Sequence, residues 1–264
     1  MKKVKSIIYL CIIAFNLMSC GGQTEKGVYY PKEKIMTTDK FDIVKYNRIV
    51  EEKRKLGEFD LYNHVEVLTN GNVVESSQAQ DKSATVIILP PVPELIETYK
   101  SYHKNGFLES ETQRYIGLQL GSDIVKFGTS KYYDNTGLLI KEVDEAVKYE
   151  NIKVKPLDLF EILKKEPLFI KLSKEDKNLF KAIFDLPQGE DEISPDIISK
   201  ALKKQRILNP EDREDIKNTF LTLSDDEKIW EVVKDIYPFG RIEYSVDSNS
   251  GKIIKRDYIK ETRP

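Results

Sequence analysis

The chain holds few side chains whose types and spacing could do chemistry. Its only imidazoles are His64 and His103, and its only thiols are Cys11 and Cys20. No His-Glu-x-x-His, no paired-cysteine motif and no close histidine pair occurs, so the ligand set of a conventional zinc site is missing and no metal is expected. Gly121-Ser122-Asp123 lacks the flanking glycine of a nucleophile elbow. Neither a Walker loop nor Gly-x-Gly-x-x-Gly is present, and no cofactor is expected. The acidic clusters Glu190-Asp191-Glu192, Glu211-Asp212 and Asp225-Asp226-Glu227 lack the alternating ligand spacing of a calcium loop. Two of the three fall in expected first helical turns, where carboxylates favour the macrodipole. Two acids that folding brings about 5–10 Å apart need no local signature, so a carboxylate-dependent glycan hydrolase stays open as an alternative. The leading reading is a noncatalytic chain.

The residue with the clearest chemical fate is Cys20. Lys2, Lys3 and Lys5 precede a short apolar run, Ile7 to Phe15, and Ser19 offers a small residue before the cysteine, as in a secretory signal. The apolar run is shorter than the ~20 residues needed to span a bilayer. Leu17-Met18-Ser19-Cys20 resembles the lipobox of bacterial lipoproteins, with Met18 its least typical member. That resemblance implies a diacylglyceryl group on the Cys20 thiol, cleavage after Ser19, and a new amine that is often acylated too. Several acyl chains make release from a membrane very slow, whereas one alone gives marginal residence. Gly21 departs from the Asp that retains enteric lipoproteins at the inner membrane, so the resemblance points to the outer one. Cys11 leaves with the signal, so no free thiol and no disulfide is expected. Residues 20–27 lack apolar content and read as a flexible tether.

With the signal gone, three lysines are lost and the formal charge falls from −2 to −5. A mildly acidic body without a dense basic cluster is a poor nucleic-acid binder. The expected partners are the membrane, through lipid, and a protein of unknown identity.

Residues 28–155 read as β-rich. Tyr46 to Gly57 favours a short solvated helix with Val50 and Leu56 as its apolar points. Beyond it, Val65, Val67 and Val73, Val74 flank Thr69-Asn70-Gly71, a hairpin signal of type I′ character. Ala84 to Leu89 reads as a buried strand stopped by Pro90. A hairpin phrase then recurs. Tyr102-His103-Lys104-Asn105-Gly106-Phe107-Leu108-Glu109-Ser110-Glu111 matches Tyr133-Asp134-Asn135-Thr136-Gly137-Leu138-Leu139-Ile140-Lys141-Glu142 at a constant 31-residue offset. One such hairpin cannot bury its own apolar face, so the units should pair edge to edge in an antiparallel sheet.

The phrase resembles variant MORN-type hairpin repeats and, at Tyr133-Asp134-x-x-Gly137-x-Leu139, tyrosine-aspartate repeats. It departs from them in the long stretch Thr112 to Gly128 between its copies. Some such repeat proteins are antitoxin components, and the resemblance implies protein binding or scaffolding, not chemistry. Candidate binding or hairpin residues are Tyr99, Tyr102, Asn105, Gly106, Tyr132, Tyr133 and Gly137. Each tyrosine serves either as a recognition surface or as a cross-strand packing partner. Since strand neighbours point to opposite faces, Tyr132 and Tyr133 cannot share one job.

From Pro156 the apolar period changes, and residues 156–264 read as short helices followed by a terminal hairpin. Leu157, Leu159, Phe160 and Leu163 fit one helix ended by Pro167, and Ser173 caps a second carrying Leu179, Phe180, Ile183 and Phe184. Ser194-Pro195 starts a third, Asn209-Pro210 a fourth with Ile216, Phe220 and Leu221, and Ser224 with Glu227 a fifth over Ile229 to Ile236. Tyr244 to Ile254 closes the chain as a looser hairpin copy that rejoins the sheet. It is faintly similar to the closing strands of PepSY-type domains, which instead prefers a strand at Trp230 to Val233. The expected class is α+β, divided into signal 1–19, tether 20–27, hairpin region 28–155 and helical region 156–264. The expected function is a lipid-anchored envelope protein that binds a macromolecule, of immunity type, with a structural or assembly lipoprotein as the alternative.

Overall fold

The computed structural model describes residues 25–58, 62–117, 124–168, 206–236 and 240–260. Over these the chain is mostly antiparallel β, with twelve strands in two sheets and few helices, a β-rich form of the α+β class. The first sheet contains β1 (Val28–Tyr29), β2 (Asn63–Val67), β3 (Val73–Gln78), β4 (Ala84–Leu89), β5 (Ile96–Tyr102), β6 (Leu108–Tyr115), β7 (Lys126–Tyr133) and β8 (Leu139–Asp144). Their order, β1-β8-β7-β6-β5-β4-β3-β2, is a meander from β2 to β8. Strands β6 and β7 extend into the stretch between the two repeat copies from either end and pair with each other, so the ladder continues across it.

Tight turns produce this meander, though not of the expected type. Gly71 N–H donates to the Leu68 carbonyl at 3.0 Å and Leu68 N–H to the Asn72 carbonyl at 2.8 Å. Gly71 has φ of +84°, while Asn70 is not left-handed, which corrects the type I′ expectation. The loop is a type I turn closed by a left-handed residue, the common three-residue hairpin. The same bonds recur at His103–Phe107 and Asp134–Leu138, and at Ala79–Ser83, where Lys82 takes the left-handed position with φ of +72°.

Helix α1 (Ile43–Leu56) begins where Asp42 accepts from Lys45 N–H at 2.8 Å and ends at left-handed Gly57. It buries Tyr46 and Val50, but Leu56 is 76% exposed and does not serve as an inward point. Helix α2 (Pro156–Leu163) buries Leu159, Phe160 and Leu163 and points Leu157 outward. Helix α3 (Arg213–Lys217) is only one turn, capped by Asp212, so the fourth expected helix is cut short and Phe220 and Leu221 belong to a strand. The helices expected from Ser173 and from Ser194-Pro195 lie outside the described residues.

The second sheet is β12-β11-β10-β9, from β9 (Thr219–Leu223), β10 (Ile229–Ile236), β11 (Gly240–Asp247) and β12 (Ile253–Lys260). The fifth expected helix is therefore β10. Its pattern fits period 2 better: Trp230, Val232 and Lys234 are buried at 0, 0 and 4% exposure, while Glu231, Val233 and Asp235 alternate with them. Ser224 and Glu227, read as a capping box, instead form the β9–β10 turn, with Glu227 at φ of +58° and Ser224 Oγ accepting from Ile229 N–H at 3.0 Å. The terminal hairpin joins this second sheet rather than the first.

One large cluster unites residues of both sheets: Leu89, Leu95, Tyr115 and Val125 pack with Leu159, Phe160, Trp230 and Tyr244. Tyr115 and Phe160 rings lie 5.1 Å apart, Tyr115 O–H donates to the Ile216 carbonyl, and Trp230 Nε1–H donates to Val154 at 2.9 Å. Each fully buried side chain of this size contributes about 1.5–3 kcal/mol. A smaller cluster of Ala84, Tyr102 and Leu108, flanked by Phe41 and Tyr133, holds the opposite end of the first sheet.

Candidate functional site

The most distinctive local feature of the first sheet is an irregularity between β6 and β7. Glu111 pairs with Lys131 and Gln113 with Phe127, so Thr112 alone faces the Gly128-Thr129-Ser130 stretch. Gly128, at φ of +61°, permits the extra residues to loop out. The Thr112 and Ser130 hydroxyls bond to each other within the fold, and Ser130 donates to Glu145. Beside this bulge lies an open hollow of about 430 Å³, lined by Glu111, Thr112, Gln113, Thr129, Lys131 and Glu142.

Charge across the hollow alternates in register. Lys100 pairs with Glu111, Glu111 with Lys131, and Lys131 with Glu142, on four successive strands. The row is built by the 31-residue repeat, because Lys131 is the copy of Lys100 and Glu142 the copy of Glu111. The two lysines are treated differently, however. Lys100 Nζ lies 2.6 Å from Asp39 and 3.2 Å from Glu111. Burial works against its charge, but these two carboxylates outweigh it and hold its pKa above the ordinary value. Lys131 and Glu142 have no ion-pair partner among the described residues.

Asp39 is supplied by residues 35–41, which run as a strap across the hairpin tips. Leu139 N–H donates to Ile35, Thr37 N–H to Gly137 and Phe41 N–H to Gly106, at 2.8, 2.9 and 2.8 Å. Tyr102 O–H also donates to Asp39, at 3.1 Å.

The residues singled out from sequence do not converge on the hollow. Tyr102 is 4% exposed, and Tyr133 packs against the same small cluster. Tyr99 and Tyr132 stand on the opposite face, each with a cation over its ring: Arg114 at 4.0 Å and Lys141 at 4.7 Å. All four tyrosines therefore have packing roles. Asn105 and Gly106 fix one hairpin tip and Gly137 the next, with Asn105 Nδ2 donating to the Asn135 carbonyl at 2.7 Å. Cys20 and Gly121-Ser122-Asp123 lie outside the described residues.

The chain matches no known protein family. No curated protein matches it either.

What sequence reading missed is Lys131 and the row around it. The signal was present in the repeat, which aligns Lys100 with Lys131 as well as tyrosine with tyrosine. A second cavity, about 220 Å³ and mostly apolar, lies beside Phe127, Tyr149 and Leu157. Of its two lysines, Lys155 is committed to the Tyr149 and Ile152 carbonyls and Lys126 lies 3.6 Å from Glu145. No group of three or more metal-ligating side chains occurs among the described residues.

Proposed function

We propose that the chain is a lipid-anchored, noncatalytic envelope protein that binds another macromolecule through the hollow at the β6–β7 bulge. The observation that carries this is the inequality of the two repeat lysines. Lys100 receives a carboxylate from the strap, whereas its copy Lys131 receives none from the described residues. A partner's carboxylate on Lys131 would complete the pattern, and a partner's cation would do the same for Glu142. Charge-assisted bonds of this kind, flanked by Thr129 and Gln113, give register and specificity more than raw affinity.

The immunity-type version of this reading, neutralisation of a toxin at the envelope, follows from the repeat resemblance. The same surface serves equally in an assembly lipoprotein that holds a larger complex near the membrane. A glycan hydrolase fits the geometry less well. Glu111 and Glu142 are two strands apart, about 10 Å, beyond the ~5 Å of a retaining pair and at the outer limit of an inverting one. Glu111 is moreover engaged by Lys100.

The test joins two variants. Cys20→Ala should move the protein from the membrane to the soluble fraction, and persistence at the membrane to the same degree contradicts the anchor. Lys131→Gln, which removes the cation without opposing a third carboxylate to Glu111 and Glu142, should abolish capture of the native partner at a nearly unchanged melting temperature, and undiminished capture contradicts the hollow.

A further inference from the structure

Four strands form the outer edges of the two sheets. β1 is two residues long, β9 is almost wholly buried, and β12 carries Lys255, Arg256 and Asp257 along its length. Short length, cover and charge are each ways of blocking unwanted pairing. β2, Asn63-His64-Val65-Glu66-Val67, contains no proline, lysine or bulge; Lys53 of α1 caps only its first residue, and Val65 and Val67 are 57% and 71% exposed.

The turn after β2 fixes which backbone groups face outward. Leu68 N–H points to β3, so alternation turns His64 and Glu66 inward and Asn63, Val65 and Val67 outward. Two contacts agree with this assignment. Lys53 Nζ reaches the Asn63 carbonyl from the open side at 2.6 Å, and on the inner side the Tyr46 hydroxyl bridges Tyr62 O and Gln78 N. Among the described residues the outward groups of Val65 and Val67 have no backbone partner.

We propose that this edge pairs with the same edge of a second copy of the chain, antiparallel about a two-fold axis through Val65. Two eight-stranded sheets then become one continuous sheet. In this register Val65 meets its own copy and exchanges both backbone bonds, while Val67 meets Asn63 of the second copy, where the Val67 N–H takes the place of Lys53 Nζ on the Asn63 carbonyl. On the opposite face His64 lies across from Glu66, twice by symmetry. A ring N–H of each His64 can donate to the Glu66 carboxylate across the axis, and this complementarity selects both occupant and register. An axis through Glu66 would oppose two carboxylates, and an axis through His64 would remove a rung. A two-fold interface requires such a self-complementary strip.

A pairing this short belongs to the weak class of contacts. Tethering to one bilayer raises the effective concentration of each copy for the other. That aid rests on the proposed anchor, whereas the strand geometry does not.

The experiment places p-benzoylphenylalanine at Val67 in the full chain and irradiates it in membranes and, at high concentration, in detergent micelles. The expected product has twice the chain mass and an adduct mapping beside Asn63 of the other copy. Val65→Pro deletes an outward N–H while leaving the inward ladder intact, and should cut the yield about tenfold or more at unchanged melting temperature. Glu66→Lys should also lower the yield, and adding His64→Glu should restore it. The lost Lys45 contact, 3.5 Å and exposed, has little bearing on this readout. Dimer in micelles but not in membranes supports the pairing and counts against the anchor. Adducts only to other proteins, only within one chain, or insensitive to both variants overturn the proposal.

Discussion

The Asn105 side-chain amide donates to the Asn135 carbonyl at 2.7 Å and so ties one hairpin tip to the next. Beside it, His103 Nε2 meets the Tyr133 carbonyl at 3.1 Å, and the strap carbonyl and amide bonds cross both tips. The tips thus form one hydrogen-bonded rim that fixes where Asp39, Lys100 and the hollow sit.

The rim makes its glycines unequal to others of similar φ. A Cβ at Gly137 would lie 2.8 Å from the Phe107 ring and at Gly106 3.1 Å from the Phe41 carbonyl, whereas at Gly57 it would meet nothing within 4 Å. All three have positive φ. Gly57→Ala should therefore cost only the conformational strain, about 1 kcal/mol, and Gly106→Val or Gly137→Val about 2–4 kcal/mol. Thermal or urea unfolding of the three variants gives the comparison, and equal losses would remove the rim's packing role.

Lys234 is 4% exposed, and it donates to the Ile207 carbonyl at 2.7 Å and to Asp215. Burial pushes its pKa down, and Asp215 partly offsets that. Lys234→Met alone should destabilise by about 3–5 kcal/mol, because it leaves the Asp215 carboxylate without its cation. The double variant Lys234→Met with Asp215→Leu should recover most of that loss. A double-mutant cycle in urea checks the coupling, and simple additivity would contradict it.

Glu97 is 4% exposed and bonded to Arg114 at 2.6 Å, yet burial raises its pKa above the ordinary 4.5 despite the guanidinium. The folded state then holds its proton more tightly than the unfolded state. Its contribution to stability is full below pH 4.5 and falls as pH rises through the higher folded value. The turn carboxylates Asp81, Asp134, Asp226 and Asp247, all lowered chiefly by side-chain hydrogen bonds, act in the opposite direction. The melting temperature of the native chain minus that of Glu97→Gln should fall as pH rises from about 4 to 7. A flat difference across that range would contradict the burial argument.

Three of the meander's six connections were legible from a local signature, Asn70-Gly71, Asn105-Gly106 and Thr136-Gly137 between alternating apolar residues, whereas the β3–β4 turn puts Lys82 at its left-handed position and the β6–β7 connection has no such signature. The helix over Tyr46 to Gly57 was legible for the same reason, from its charged face and terminal glycine. Residues 229–236 were misread because Ile229, Val233 and Ile236 fit a helical stripe as readily as a strand. The register with β9 and β11, a non-local property, decides between them. The tyrosines drew attention as large surface groups, but the fold gives Tyr102 a ring and a carboxylate, Tyr99 and Tyr132 a cation each, and Tyr133 a place against the small cluster. Lys131 was passed over because an isolated lysine is unremarkable until its repeat partner is seen to have Asp39.

The most direct measurement places a photo-reactive residue at Thr129, on the rim of the hollow, and irradiates intact cells that make the full chain. The expected result is an adduct of one discrete mass that disappears when Lys131→Gln is added and persists when the distant Lys255→Gln is added instead. An adduct equally strong in both backgrounds, or none in cells where the native chain carries out its role, would contradict binding at this surface.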